Sequence, residues 1–197
     1  LWPVLLALSG RRRAFAAACV GTGAFVLIAG VVFGFETYGR FLANLSVSQE
    51  LINANRIATP AFASSYASLL NLGAPMALAA VLHGVSAVSA LIVSTWIFRR
   101  GDRALGGAAL CAATLLMSPY LFFYDFTLLA VGAALLGTPR DRLELVALIA
   151  AWSAGLSLPL SYLAPLPYCT TAAWLVLLVA LRRARSAADR PAAALRP

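Results

Sequence analysis

Apolar runs separated by short polar clusters organise this chain from end to end. A helix crossing a bilayer takes about 20 apolar residues at about 1.5 Å rise each. Residues 14–34 and 75–98 meet that length outright. Residues 1–8 read as the tail of an incomplete helix ending at Ser9-Gly10, as expected for the C-terminal part of a longer protein. The apolar stretch 104–137 is interrupted at Ser118-Pro119, and two further runs, 143–162 and 168–181, precede a polar tail, 182–197.

Charge decides how the interrupted stretch is read. All fifteen basic residues are Arg, and eleven of them cluster at 11–13, 99–103, 140–142 and 182–185. As one helix, 104–137 would put Arg140 and Arg142 across the membrane from Arg99 and Arg100. As a hairpin it gathers every cluster on one side, as the positive-inside rule requires. Ser118 as N-cap and Pro119 at the first helical position also describe a helix start. The pattern therefore predicts an all-α polytopic integral membrane protein with six complete transmembrane helices plus one truncated N-terminal helix. Residues 1–181 form a single partial transmembrane domain, and 182–197 a cytoplasmic tail. Thirteen of the fifteen Arg become cytoplasmic, and only Arg40 and Arg56 lie outside, in the segment 35–74.

That outer segment is itself patterned. Tyr38, Phe41, Leu42 and Leu45 follow helical spacing, with Glu36 and Arg40 an i, i+4 pair. A second helix is expected from Thr59-Pro60, with Phe62, Tyr66, Leu69 and Leu70 on one face and Ser64, Ser65, Ser68 and Asn71 elsewhere. Two amphipathic helices in the membrane interface, over 36–52 and 59–72, fit this pattern, as does a folded loop packed on the bundle.

Composition agrees with the spans. Hydrophobic residues make up 62%, charged residues 11%, and the mean hydropathy is +0.88. Too few charges are present to coat a soluble domain, and too many apolar residues for a disordered chain. The net charge of +8 would suggest nucleic acid in a soluble protein, but apolar spans between the Arg clusters leave no continuous basic face. Cys19, Cys111 and Cys169 lie far apart in apolar runs and read as small buried hydrophobes. Gly21 and Gly23 read as helix-packing positions.

Few residues are left to carry chemistry. Asp125 stands in the run Ser118-Pro-Tyr-Leu-Phe-Phe-Tyr-Asp-Phe126, about 10 Å along a helix that starts at Ser118. A carboxylate there implies a wet cavity, or a structural role as an ion pair with Arg40 or Arg56 or as a helix cap. Tyr120 and Tyr124, four residues apart, suit either an interface belt or substrate contact. His83, the one histidine, is either an interhelical hydrogen-bonder or a functional group. No metal-ligand spacing, P-loop or GxGxxG is present, so neither metal nor cofactor is expected.

Several phrases resemble glycosyltransferase family 87, the DUF2029 group of GT-C-type membrane enzymes. They are LWPVLLALSGRRRAF, GFETYGRFLANL, TPAFASSYASLLNLGAP and, above all, SPYLFFYDFTLLAVGAALL. In that family a Ser-Pro pair leads into a helix whose first turns carry a paired polar motif, matched here by Tyr124 and Asp125. The resemblance implies a GT-C-like C-terminal portion that moves a mannose-like sugar from a polyprenyl-phosphate donor to a lipid or glycan acceptor on the outer face of the plasma membrane. Membrane lipids are implied as partners, nucleic acid is not. The family's general base, an acid in a first outer loop, is expected upstream of residue 1. Substrate contacts are then expected from Asp125, Tyr124, Tyr120, Arg40, Arg56 and His83. A transporter or permease segment, or a non-catalytic assembly subunit, is the alternative.

Overall fold

The computed structural model describes residues 2–10, 12–53, 62–154 and 167–193, and apart from one isolated β-bridge these are helices and their connections. The chain forms two compact units, residues 2–59 and 60–197.

The first unit holds α1 (Trp2–Leu8), α2 (Arg12–Phe33) and α3 (Glu36–Asn53). α1 stops where expected: Gly10 takes φ +75°, and the Ser9 and Gly10 N–H groups donate back to Leu5 O and Ala7 O. α2 is long and apolar enough to cross a membrane. Its Val20, Phe25, Val31 and Phe33 side chains are each more than 70% exposed, a contiguous apolar surface of the kind that marks contact with lipid or with other protein. Cys19 belongs to this surface and is exposed, contrary to its reading as a buried hydrophobe. Gly21 and Gly23 pack against nothing within 4 Å, so their expected role in helix packing is not met within the described residues. α3 covers the first expected amphipathic helix. It is tied to α2 by the Tyr38 hydroxyl, which donates to Val26 O at 2.7 Å, while Phe41 and Leu42 stay exposed.

The second unit comprises α4 (Ser65–Asn71), α5 (Met76–Arg100), α6 (Arg103–Met117), a 3-10 turn (Phe123–Phe126), α7 (Thr127–Leu136), α8 (Arg142–Ser153) and α9 (Tyr168–Ala193). α5 is the second helix of membrane-spanning length and composition. Val81, Val85, Val88 and Ile92 form its exposed apolar face, while Ala79, His83, Ala90, Ser94 and Ile97 turn inward. α6 is the central element, with ten of its fifteen residues buried. Its Ala- and Gly-rich surface lets α5, α7 and α9 approach closely. Gly107 faces Leu135, and Gly132 faces Cys111 and Val176, so α6 and α7 run antiparallel as the expected hairpin.

The break in that hairpin differs from the expectation. Ser118 is the C-cap of α6 and takes φ −85°, ψ 124°, and no helix begins there. A residue before proline is pushed out of the helical region, and proline has no N–H to extend the ladder. The next helical turn starts only at Phe123. α8 opens on Asp141, whose carboxylate accepts the Glu144 N–H at 3.0 Å; the residues expected to complete that span, 155–162, lie outside the described ones. α9 runs from Tyr168 through the expected polar tail to Ala193 as one helix. Among the described residues two helices therefore have the length and composition to span a membrane, where the pattern gave six.

The arginine-rich segments of this unit meet at one end. Arg183, read from sequence as part of the polar tail, is buried in α9. Its Nε and Nη2 donate to Glu144 at 3.0 and 2.6 Å, Nη2 also to Thr138 O at 2.9 Å, and Nη1 to Leu136 O. One guanidinium thus closes the last carbonyl of α7 and that of Thr138 just beyond it, and clamps α8 to α9. The Glu144 carboxylate pushes the Arg183 pKa above its already high usual value. Nearby, the Glu144 N–H and then the Arg182 guanidinium, 2.6 Å away, hold the Asp141 carboxyl below its usual range.

Candidate functional site

At the other end of α5 and α6 the sequence produces a polar and aromatic cluster. Having left α6 extended, the chain offers free backbone groups at 119–122. Residues 62–64 pair with them. Ala63 N–H donates to Leu121 O at 2.8 Å, Phe62 and Phe122 form an antiparallel bridge, and the Ser64 hydroxyl donates to Pro119 O at 2.5 Å. Ser64 is fully buried and also accepts the Ala67 N–H, which makes it the N-cap of α4. The second amphipathic helix therefore starts at Ser64, later than the expected Thr59-Pro60, which lies outside the described residues. Phe62 belongs to the bridge and not to the helix face.

That cap sets the next two side chains. Ser65 Oγ lies 2.6 Å from His83 Nδ1 on α5. The buried His83 ring also interacts with the Met117 backbone at the end of α6. One imidazole therefore joins α4, α5 and α6. The Tyr66 ring sits edge-on to His83 at 6.4 Å and to Tyr120 at 6.2 Å. Burial and then the neighbouring Tyr120 push the Tyr66 pKa up, so it stays a neutral hydroxyl at physiological pH.

The aromatic chain continues outward. Phe62 meets Tyr120 at 6.3 Å and Phe122 at 4.9 Å, and Phe122 stacks on Tyr124 at 5.3 Å with rings only 7° from parallel. Tyr120 and Tyr124 are both exposed. Asp125 follows in the 3-10 turn, not on a helix begun at Ser118. It is half-buried, and its Oδ2 accepts the Phe122 N–H at 2.9 Å. Of the structural roles open to it, the cap is the one adopted, with Phe122 as the capped residue.

The structure thus brings His83, Tyr120 and Tyr124 into one continuous cluster, with Asp125 on the turn beside it. Arg40 is exposed in the first unit, and Arg56 lies outside the described residues. Sequence reasoning missed Ser65 and Tyr66, which it placed as ordinary positions of an amphipathic helix. The signal was the Ser64-Ser65 pair: two hydroxyls at a helix start need acceptors, and an apolar neighbourhood offers few. No group of three His, Cys, Asp or Glu side chains capable of holding a metal occurs among the described residues.

Hydroxyls, an imidazole, a carboxylate and exposed aromatic rings in one place can hydrogen-bond and stack a polyol. The described residues are almost all helical, with two apolar helices long enough to cross a membrane. The model of glycosyltransferase family 87 matches residues 1–119, and the chain belongs to that family of membrane glycosyltransferases. The matched stretch takes in α1 to α6, Ser65, Tyr66 and His83, and stops at Pro119, so Tyr120, Tyr124 and Asp125 follow it directly. No curated protein and no solved structure matches the chain. Family membership decides for a transferase over the permease and assembly-subunit alternatives.

Proposed function

We infer that the protein transfers a mannose-like sugar from a polyprenyl-phosphate donor to a lipid or glycan acceptor on the outer face of the plasma membrane, within a six-span bundle. The observation that carries this reading is the position of the hydroxyl–imidazole–aromatic cluster. His83 lies sixteen residues before Arg99, about 24 Å along α5. With the arginine-rich end in the cytoplasm by the positive-inside rule, the cluster sits toward the outer leaflet, where a lipid-borne sugar is accessible.

In the transfer, an acceptor oxygen bonds to the anomeric carbon while the bond from that carbon to the donor phosphate breaks, and the phosphate leaves with the electron pair. The acceptor proton goes to a base outside the residues assigned here. Asp125 keeps Oδ2 on the Phe122 N–H and offers Oδ1 to a sugar or acceptor hydroxyl. Tyr120 and Tyr124 supply ring faces and hydroxyls, and His83 holds the Ser65 hydroxyl in place. Arg40 and Arg56 are assigned to the leaving phosphate.

Asp125→Asn in the full-length protein is the test. The amide oxygen still accepts the Phe122 N–H, so the protein accumulates normally. Transfer falls tenfold or more, about what losing one charge-assisted hydrogen bond costs. Full activity, or loss explained by poor accumulation, would reduce Asp125 to a cap.

A further inference from the structure

At the arginine-rich end, a cavity of about 200 Å³ opens between the start of α6, the end of α7 and α9. It exceeds the roughly 150 Å³ that admits a benzene ring in a protein core. Leu105 and Leu135 form its apolar wall, and Asp102, Arg140, Arg183 and Ser186 its polar lining. Two of those charges are already engaged. Arg183 is held by Glu144 and the carbonyls ending α7, and Asp102 Oδ1 accepts the Leu105 N–H at 2.8 Å as the cap of α6. Arg140 is different. Its backbone N–H goes to Glu144 Oε2 at 2.7 Å, but its exposed guanidinium has no partner among the described residues.

The surroundings are strongly positive. Segments 99–103, 140–144 and 182–185 carry eight arginines against three acids, and two of those acids are held in ion pairs. Arg100 and Arg185 both lie over the Trp96 ring, at 5.1 and 5.9 Å, an arrangement suited to a membrane–water boundary. An open cation at the rim, an apolar wall beneath it and a positive field around both match one ligand chemistry. That ligand is a phosphodiester with acyl chains attached.

We propose that this cavity binds the head group of an anionic phospholipid, with the phosphate on Arg140 and the first acyl carbons against Leu105 and Leu135. The site is separate from the sugar-transfer cluster and does not depend on that reading. A free phosphate ion shares the head group's chemistry, but it would leave the apolar wall uncovered.

The full-length protein, released from nanodiscs of mixed phosphatidylglycerol and phosphatidylcholine, is examined by native mass spectrometry for retained lipid. The wild type should keep one phosphatidylglycerol in preference to phosphatidylcholine. Arg140→Gln should weaken that retention about tenfold, as should Ser186→Leu, which fills the rim without changing charge. Arg142→Gln, in the same cluster but outside the cavity lining, should change it less than twofold. Should Arg140→Gln fail to accumulate, Ser186→Leu decides alone. Equal losses in Arg140→Gln and Arg142→Gln would show a diffuse field and overturn the site. Displacement of the lipid by millimolar inorganic phosphate would replace it with a free-phosphate site, and equal retention of phosphatidylethanolamine would remove the anionic selectivity.

Discussion

His83 shows how one side chain holds three helices together. Its Nδ1 meets the Ser65 hydroxyl and its ring the Met117 backbone. Both contacts lie in a buried setting where an unmet polar atom costs about 1–3 kcal/mol. Ser65→Ala removes one partner and leaves the imidazole nitrogen stranded. We expect a loss of stability of that size, read as a lower melting temperature of the full-length protein in detergent. Ser65→Thr keeps the hydroxyl and should restore most of it. Half of this pair was legible in the sequence, since a lone histidine in an apolar span must hydrogen-bond to something. The other half was not. Ser65 becomes a neighbour only after Ser64 has capped α4 and the Phe62–Phe122 bridge has drawn that helix onto α5. The serine cap has a local signature, but the bridge, between residues 60 apart, has none.

Among the elements, the Ser118-Pro119 interruption is the instructive case. The same dipeptide can start a helix, through serine capping and proline at the first turn, or end one, by forbidding the residue before proline a helical conformation. Charge placement correctly required a reversal there. Local rules alone could not tell that α6 would stop and the chain run extended for several residues, because the partners of that extended run lie some 55 residues earlier, at 62–64. Arg183 misled for the opposite reason. An arginine cluster after the last apolar run reads as a solvated tail, yet one of the group is buried against Glu144. Breaking such a pair from one side leaves an uncompensated buried charge, at about 3–5 kcal/mol. Glu144→Ala should therefore destabilise the protein by that amount in thermal or denaturant melts. The double variant Glu144→Leu with Arg183→Met should melt closer to wild type than either single change, since it removes both charges together.

For the molecule as a whole, composition points to the membrane class and the Arg clusters to a polarity across it; the second unit gathers segments 99–103, 140–142 and 182–185 at one end. Topology can be measured directly. Cysteines introduced at Gly101 and Thr138 should react with a membrane-impermeant thiol reagent from the cytoplasmic side, and one at Asn53 from the outside. Labelling of positions 101 and 138 from opposite sides would refute the α6–α7 hairpin as the organiser of the bundle. The Arg183 clamp also bears on how the protein is made. Synthesis delivers the carbonyls of Leu136 and Thr138 and the carboxylate of Glu144 well before the guanidinium that satisfies them, which follows Glu144 by 39 residues. Until α9 emerges, the ends of two earlier helices carry polar groups without their final partner. Arrival of α9 is then the event that locks these predecessors, and a nascent chain halted before Arg183 presents an acid without its counter-charge to the cell's quality control.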